Sequence, residues 1–166
     1  MLNVTKNFLS ESHIGTLLKY QSLDAFSATQ SEDFETIKDI IELIKNKINV
    51  DFSTPDLYLE NIGIKTNFVG ESILLHYDGS GITPGRREYA VHLYLNNDFT
   101  GGEICYPNQE FSEKPECNTL IIFPTTEEYP HEMKTILSGE RRAMLIHFTT
   151  NKDLAYAHNM AEYTSI

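Results

Sequence analysis

Residues 88–107 read EYAVHLYLNNDFTGGEICYP, two β-rich runs joined by a stretch of Asn, Asp and Gly. Branched and aromatic side chains favour strands, whereas the intervening residue types favour turns. The same alternation extends in both directions, and eight such runs occur, at 56–62, 65–69, 72–77, 88–96, 102–107, 118–124, 132–137 and 142–148. Short strands with turns between them, in this number, predict a sandwich or a barrel.

The sequence before residue 50 has a different period. Residues 31–50, SEDFETIKDIIELIKNKINV, place apolar side chains at spacings of three and four. This spacing predicts an amphipathic helix. We also expect an earlier helix from about Thr5 to Tyr20 and a short one within residues 151–166.

Together these patterns predict a single α+β domain whose core is a jelly roll, or double-stranded β-helix. In this interpretation residues 1–50 are a helical support, residues 56–150 form the core, and residues 151–166 are a C-terminal tail that could be helical. A chain of 166 residues suits one domain with one hydrophobic core.

The charge balance narrows the range of partners. The chain has 13 Lys and Arg against 24 Asp and Glu, a net charge of −11. Nucleic acids and anionic membranes are bound mainly through Lys and Arg, so neither is expected as a partner. No apolar run approaches the roughly 20 residues that span a bilayer. We expect a cytoplasmic monomer.

A candidate metal site begins in the run SILLHYDGS, residues 72–80. His76 and Asp78 are two residues apart on a predicted strand, so their side chains leave the same face. Such a pair is more often an ordinary strand end with a hydrogen-bonded histidine. A third ligand is available in His131. Two imidazoles and one carboxylate form a facial triad with open positions, a set typical of non-haem Fe(II) rather than zinc.

A basic pair opens the last predicted strand. Side chains alternate along a strand, so Arg141 would share a face with Leu145 and His147, and Arg142 would point to the other side. Two interpretations remain open. Both arginines could be solvated at the start of the strand, or one could enter the core. A buried guanidinium needs an anion and suits bidentate binding of a small dicarboxylate.

In this order and spacing, the residues resemble the Fe(II)- and 2-oxoglutarate-dependent dioxygenases, and within them the prolyl 4-hydroxylase branch. The likeness covers roughly residues 65–150 and includes the motifs YLN at 94–96, GGE at 101–103, IIFP at 121–124, PHEM at 130–133 and GER at 139–141. The spacing from Phe123 to His131, and an arginine at 141, are similar to the oxygen-sensing prolyl hydroxylases.

The resemblance implies three Fe(II) ligands that also form the catalytic centre, His76, Asp78 and His131. Arg141 would pair with the distal carboxylate of 2-oxoglutarate, Tyr94 would hydrogen-bond that carboxylate, and Ile104 would line the cosubstrate pocket. O2 is then the second cosubstrate, and ascorbate is a further cofactor that the resemblance suggests.

Three residues depart from the family's pattern. Thr66 stands where several members have tyrosine, His92 takes an inward position that is usually apolar, and His147 stands where relatives often have tryptophan. The two histidines could hydrogen-bond the metal ligands, but packed neutral rings are the favoured interpretation.

The resemblance implies hydroxylation of a substrate C–H bond, with release of succinate and CO2, and the expected substrate is a prolyl residue in a protein or peptide. A free amino acid or small metabolite is the alternative with the same chemistry, and a non-catalytic jelly-roll binding module is the alternative in another class. Residues 101–132 contain seven Glu, which favours a basic peptide if they lie near the site. The Gly-rich segment 79–88 is interpreted as a mobile lid or as a plain hairpin connection.

Overall fold

The computed structural model describes residues 1–54 and 56–155. Within them the elements are, in chain order, β1 (Asn3–Lys6), α1 (Glu11–Leu17), β2 (Leu23–Asp24), α2 (Ala25–Thr29), α3 (Phe34–Phe52), β3 (Tyr58–Asn67), β4 (Ile73–His76), β5 (Tyr89–Tyr94), β6 (Thr100–Gly101), β7 (Ile104–Tyr106), β8 (Phe111–Glu113), β9 (Thr119–Pro124), β10 (His131–Met133), β11 (Ile136–Ser138) and β12 (Arg141–Thr149). Short 3₁₀ turns occur at Pro107–Gln109 and Lys152–Leu154.

The strands form two principal sheets with antiparallel pairing throughout. The major sheet has six strands in the order β1-β9-β5-β12-β3-β2, and the minor sheet has four in the order β4-β10-β7-β8. Strands β6 and β11 form a separate two-stranded ribbon. The predicted fold class, an α+β protein with a jelly-roll core and N-terminal helices, is confirmed.

The helices cover one face of the major sheet. The isoleucine stripe of α3 has no solvent exposure and comprises Ile37, Ile40, Ile41, Ile44 and Ile48. It belongs to the same apolar cluster as Met144, Ile146 and Phe148 of β12. Burial of this stripe is the main physical reason for the helix to form here, because isolated helices are marginal in water. No helix in the described part of the chain is long and apolar enough to cross a membrane.

The helix predicted from Thr5 to Tyr20 is wrong in its first part. Residues Asn3–Lys6 form β1, which pairs with β9, and α1 begins only after Ser10, whose hydroxyl accepts a hydrogen bond from the backbone of His13. Asn118 fixes the connecting segment: its side chain accepts from Leu9 N at 2.8 Å and donates to Leu9 O at 2.7 Å. Pairing with a distant strand overrides the local pattern, as is common for short segments.

Other boundaries also differ from the predicted ones. The runs 56–62 and 65–69 form the single strand β3, whereas the run 132–137 divides into β10 and β11. A short helix was expected within residues 151–166. Residues 152–154 form a 3₁₀ turn instead of an α-helix, and residues 156–166 lie outside the described residues.

The segment 79–88 is held at both ends. Gly79 N donates to Thr125 O at 3.0 Å, and a Cβ at Gly79 would lie 2.6 Å from that oxygen, so the approach requires glycine. At the other end, Arg86 Nε and Arg87 Nε each donate to the carboxylate of Glu60 at 2.8 Å. Glu60 is 3% exposed. These contacts anchor the two ends of the segment, and the interpretation as a mobile lid stays a prediction for the residues between them.

Replacing Glu60 with Gln should release the second end of this segment. In Gln an NH2 group replaces one of the two accepting oxygens and cannot accept from the guanidinium that faces it, and an unsatisfied buried group costs about 1–3 kcal/mol. We expect the free energy of unfolding to fall by this order and trypsin to cleave after Arg86 and Arg87 faster than in the wild type. Glu127→Gln, at an exposed position, is the matched control. Equal cleavage rates and equal stability in the two variants would show that the Glu60 pairs do not hold the segment.

Candidate metal centre and cosubstrate pocket

A cavity of about 430 Å³ is lined by strands of both sheets. Strand β12 crosses its wall, and the alternation expected along that strand is present in the structure. Arg141, Ala143, Leu145 and His147 line the cavity. The side chains between them pack on the helix side, apart from the partly exposed Arg142, so one strand separates the helix-covered core from the cavity.

Three candidate metal ligands converge at one side of this cavity. Strands β4 and β10 pair antiparallel, and His76 lies directly opposite His131. Asp78 follows two residues after His76, where the chain turns. Its Oδ1 lies 3.5 Å from His76 Nε2 and 3.8 Å from His131 Nε2. One ligand atom from each residue lies within 4.8 Å of the others, a spacing suited to a metal ion.

Backbone hydrogen bonds set the orientation of both histidines. His76 Nδ1 donates to Leu74 O at 2.8 Å, and His131 Nδ1 donates to Tyr129 O at 3.2 Å. A carbonyl oxygen only accepts, so Nδ1 donates in each ring and Nε2 is the ring nitrogen that faces Asp78, where it donates to the carboxylate when protonated and can bind a metal once that proton is lost. Metal-bound histidines have this arrangement, with the second ring nitrogen donating to a carbonyl or carboxylate. The residues present therefore fit a divalent metal.

The charges of these groups also suit a cation. Burial tends to raise the pKa of Asp78, but hydrogen bonds from His147 and His76 outweigh it and hold the pKa well below its usual range. Burial lowers the pKa of His131, whereas the hydrogen bond to Asp78 raises the pKa of His76. An ionised Asp78 and a neutral His131 are the protonation states that metal binding requires, whereas a metal would have to displace the proton of His76.

A buried arginine lies elsewhere in the same cavity. Arg141 is 5% exposed, and its Nη2 donates to the hydroxyl of Tyr94 at 3.2 Å. The Nε atom of Arg141 is buried and has no hydrogen-bond partner among the described residues, and no carboxylate there pairs with the guanidinium. A buried cation without an anion is costly, so the pocket suits an anionic ligand.

The neighbours of Arg141 also suit an anionic ligand. Tyr94 is fully buried, and burial raises the pKa of its hydroxyl, which therefore stays protonated. Ile104 is 2% exposed and gives the cavity an apolar wall. A ligand with a carboxylate at one end and an apolar middle would meet matching groups on this wall.

The three residues that depart from the family's pattern have different environments. His92 is a packed ring, 5.1 Å between centroids from Phe123, and burial lowers its pKa well below the usual value. His147 is not merely packed: its Nε2 lies within hydrogen-bond distance of Asp78 Oδ2, at 3.4 Å. Thr66 lies on the other face of β3, where its hydroxyl donates to Gln21 O at 2.6 Å, so it does not shape the cavity.

Two positively charged residues of the cavity were not singled out from the sequence as site residues. Lys65 and Arg87 both line the cavity. Lys65 lies on the cavity face of β3 together with Asn61 and Gly63. Because side chains alternate along a strand, Lys65 could have been predicted to line the cavity if the register of β3 had been known. Arg87 is brought to the cavity through its pair with Glu60, a contact between distant parts of the chain.

Comparisons with known proteins identify the family of the chain. The model of the 2OG-Fe(II) oxygenase superfamily matches residues 64–149. A PKHD-type hydroxylase of Prochlorococcus marinus is 28% identical over 136 residues, which cover 78% of this chain and 58% of that protein. Human prolyl 3-hydroxylase 2 is 37% identical over 68 residues, which cover 38% of this chain and 10% of that protein. The chain therefore spans only a small part of the length of the prolyl 3-hydroxylases that it matches.

Solved structures share the fold. A viral collagen prolyl hydroxylase from Paramecium Bursaria Chlorella virus-1 superposes with a TM-score of 0.75 at 18% identity, over 90% of this chain and 96% of that one. A prolyl-4-hydroxylase of Pseudomonas putida superposes with a TM-score of 0.70 at 18% identity, over 90% and 92%. The family model covers more than half of the chain and includes every candidate ligand. The chain belongs to the 2OG-Fe(II) oxygenase superfamily.

Proposed function

We propose that this protein is an Fe(II)- and 2-oxoglutarate-dependent dioxygenase that hydroxylates a substrate C–H bond and releases succinate and CO2. The observation that carries the proposal is the presence, in one cavity, of three convergent ligand atoms and a buried arginine that no carboxylate of the described residues pairs with. Each feature alone has a structural explanation. Together they match a ligand that binds a metal at one end and carries a carboxylate at the other.

His76 and His131 would hold the metal through Nε2, and Asp78 would hold it through Oδ1. Bound Fe(II) supplies the oxidative chemistry, in which O2 and 2-oxoglutarate are consumed and a substrate carbon is hydroxylated. The chain would supply the three ligand atoms from residues that line the cavity, so that cosubstrates could reach the metal from that cavity.

Arg141 would bind the distal carboxylate of 2-oxoglutarate through its planar donors, and Tyr94 would donate its hydroxyl hydrogen to the same group. These donors suit a carboxylate better than a single ammonium would, because two N–H groups can bind its two oxygens. The side chains of Ile104 and Leu145 line the same cavity, and their apolar surface would limit the access of water to it.

We propose a prolyl residue in a protein or peptide as the substrate. Several similar proteins carry prolyl hydroxylase names, and one solved relative, from Trichoplax adhaerens, is a prolyl hydroxylase in complex with a hypoxia inducible factor peptide fragment. The net charge of −11 favours a substrate with basic residues beside the proline. Ascorbate dependence and a monomeric state remain predictions.

A free amino acid or small metabolite is the second candidate substrate. It is favoured by the two additional cations in the cavity, Lys65 and Arg87, which could bind the carboxylate of a small molecule. Arg87 is the better placed of the two, because its pair with Glu60 uses Nε and leaves the terminal nitrogens of the guanidinium available.

Anaerobic addition of Fe(II) and 2-oxoglutarate should produce the weak visible charge-transfer band of a chelated complex. His131→Ala and Asp78→Ala should each abolish the band, because either change removes one of the three ligands. His13→Ala, on α1 outside the cavity, is the matched control and should keep it. A missing band in the wild type, or an unchanged band in His131→Ala, would instead favour a non-catalytic binding module.

Replacing Arg141 with Ala should weaken 2-oxoglutarate binding by about 2–5 kcal/mol, the usual effect of truncating one partner of a buried charged pair. Arg142→Ala is the control, because this neighbour donates to Leu18 O and Glu140 rather than to a cavity ligand. Calorimetric titration of 2-oxoglutarate into the metal-loaded proteins gives both affinities. The assignment would be contradicted if Arg142→Ala lost binding and Arg141→Ala did not.

A further inference from the structure

The two oxygens of Asp78 have different surroundings. Oδ1 faces the other candidate ligands, at 3.5 Å from His76 Nε2 and 3.8 Å from His131 Nε2. Oδ2 lies 3.4 Å from His147 Nε2. The carboxylate therefore has one oxygen directed toward the candidate metal position and one directed toward β12.

The hydrogen bond between His147 and Asp78 has a defined direction. An ionised carboxylate only accepts, so His147 Nε2 must donate to Oδ2. The other ring nitrogen of His147, Nδ1, is buried and has no hydrogen-bond partner among the described residues. Among the described residues, Asp78 is therefore the only hydrogen-bond partner of the His147 ring.

The backbone of His147 is firmly placed. It lies on β12, which pairs with strands on both sides, and it is opposite Asn61 of β3 and Ala90 of β5. Its side chain is 10% exposed and that of Asp78 is 12% exposed. Asp78 itself lies beyond the end of β4, in a turn, where the backbone alone fixes its carboxylate less strictly. A donor on a paired central strand can supply the missing constraint.

We propose that His147 is a positioning residue that keeps Oδ1 of Asp78 directed toward His76 and His131, so that the carboxylate binds the metal through a single oxygen. Rotation of the carboxylate that brought both oxygens to the metal would occupy one more position and leave fewer for cosubstrates. This inference rests on the proposed function, because it gives His147 a role only if the three ligands hold a metal.

Two substitutions separate positioning from packing. His147→Gln keeps an N–H donor, since its amide nitrogen can reach toward the position of Nε2, whereas His147→Leu fills the site without any donor. Co(II) is the probe, titrated into each metal-free protein and followed by its visible absorption. Loss of a hydrogen-bond partner of a metal ligand typically weakens metal binding by about 10–100-fold. We expect a loss of this order in His147→Leu, with most of the wild-type affinity retained in His147→Gln.

Two results would overturn the inference: wild-type Co(II) affinity in His147→Leu, or an equal loss in both variants, since the donor would then be irrelevant. Thermal unfolding of the metal-free proteins shows which variants fold, and His147→Phe replaces His147→Leu if the latter is unfolded. Asp78→Ala tests the proposed function separately. If it binds Co(II) as tightly as the wild type, the metal site itself is wrongly assigned; if only Asp78→Ala loses binding, the metal site stands and the role of His147 does not.

Discussion

The candidate site depends on the burial of one negative charge, that of Asp78, among histidines. Removing a carboxylate from water costs several kcal/mol unless other groups interact with it. Hydrogen bonds from His147 and His76 offset that cost and keep the group ionised. The strand pairing places both histidines beside Asp78. Pairing of β4 with β10 brings His76 opposite His131, and His147 reaches Asp78 from β12 of the major sheet. A divalent cation at Oδ1 would stabilise the arrangement further.

The second constraint is a positive charge in the same cavity. Arg141 is buried against Tyr94, and the described residues offer it no carboxylate. An anionic centre and a cationic one thus share about 430 Å³ of space between the sheets. They are complementary to a small molecule that chelates a metal and ends in a carboxylate. The fold keeps them apart by placing one on the strand pair β4–β10 and the other at the start of β12.

Features that follow from local periodicity could be predicted from the sequence. The spacing of His76 and Asp78, the alternation along β12 and the isoleucine stripe of α3 each depend on a few neighbouring residues, and the structure contains all of them. Features that depend on pairing between distant segments could not. Strand β1 exists because β9 offers it an edge, and the cavity face of β3 depends on its register with β12. The contacts of Glu60 with Arg87 and of His147 with Asp78 join positions 27 and 69 residues apart.

The most direct test of the whole account is a mass-spectrometric assay with Fe(II), 2-oxoglutarate and O2. Proline-centred peptides with basic or acidic flanks and a set of free amino acids are incubated with the protein, and succinate is measured in parallel. The account predicts that proline peptides gain one oxygen, basic ones fastest, with one succinate for each oxygen and neither product in Asp78→Ala. Oxygen gain confined to free amino acids would reassign the substrate, and the absence of oxygen gain and succinate with every compound would contradict the account.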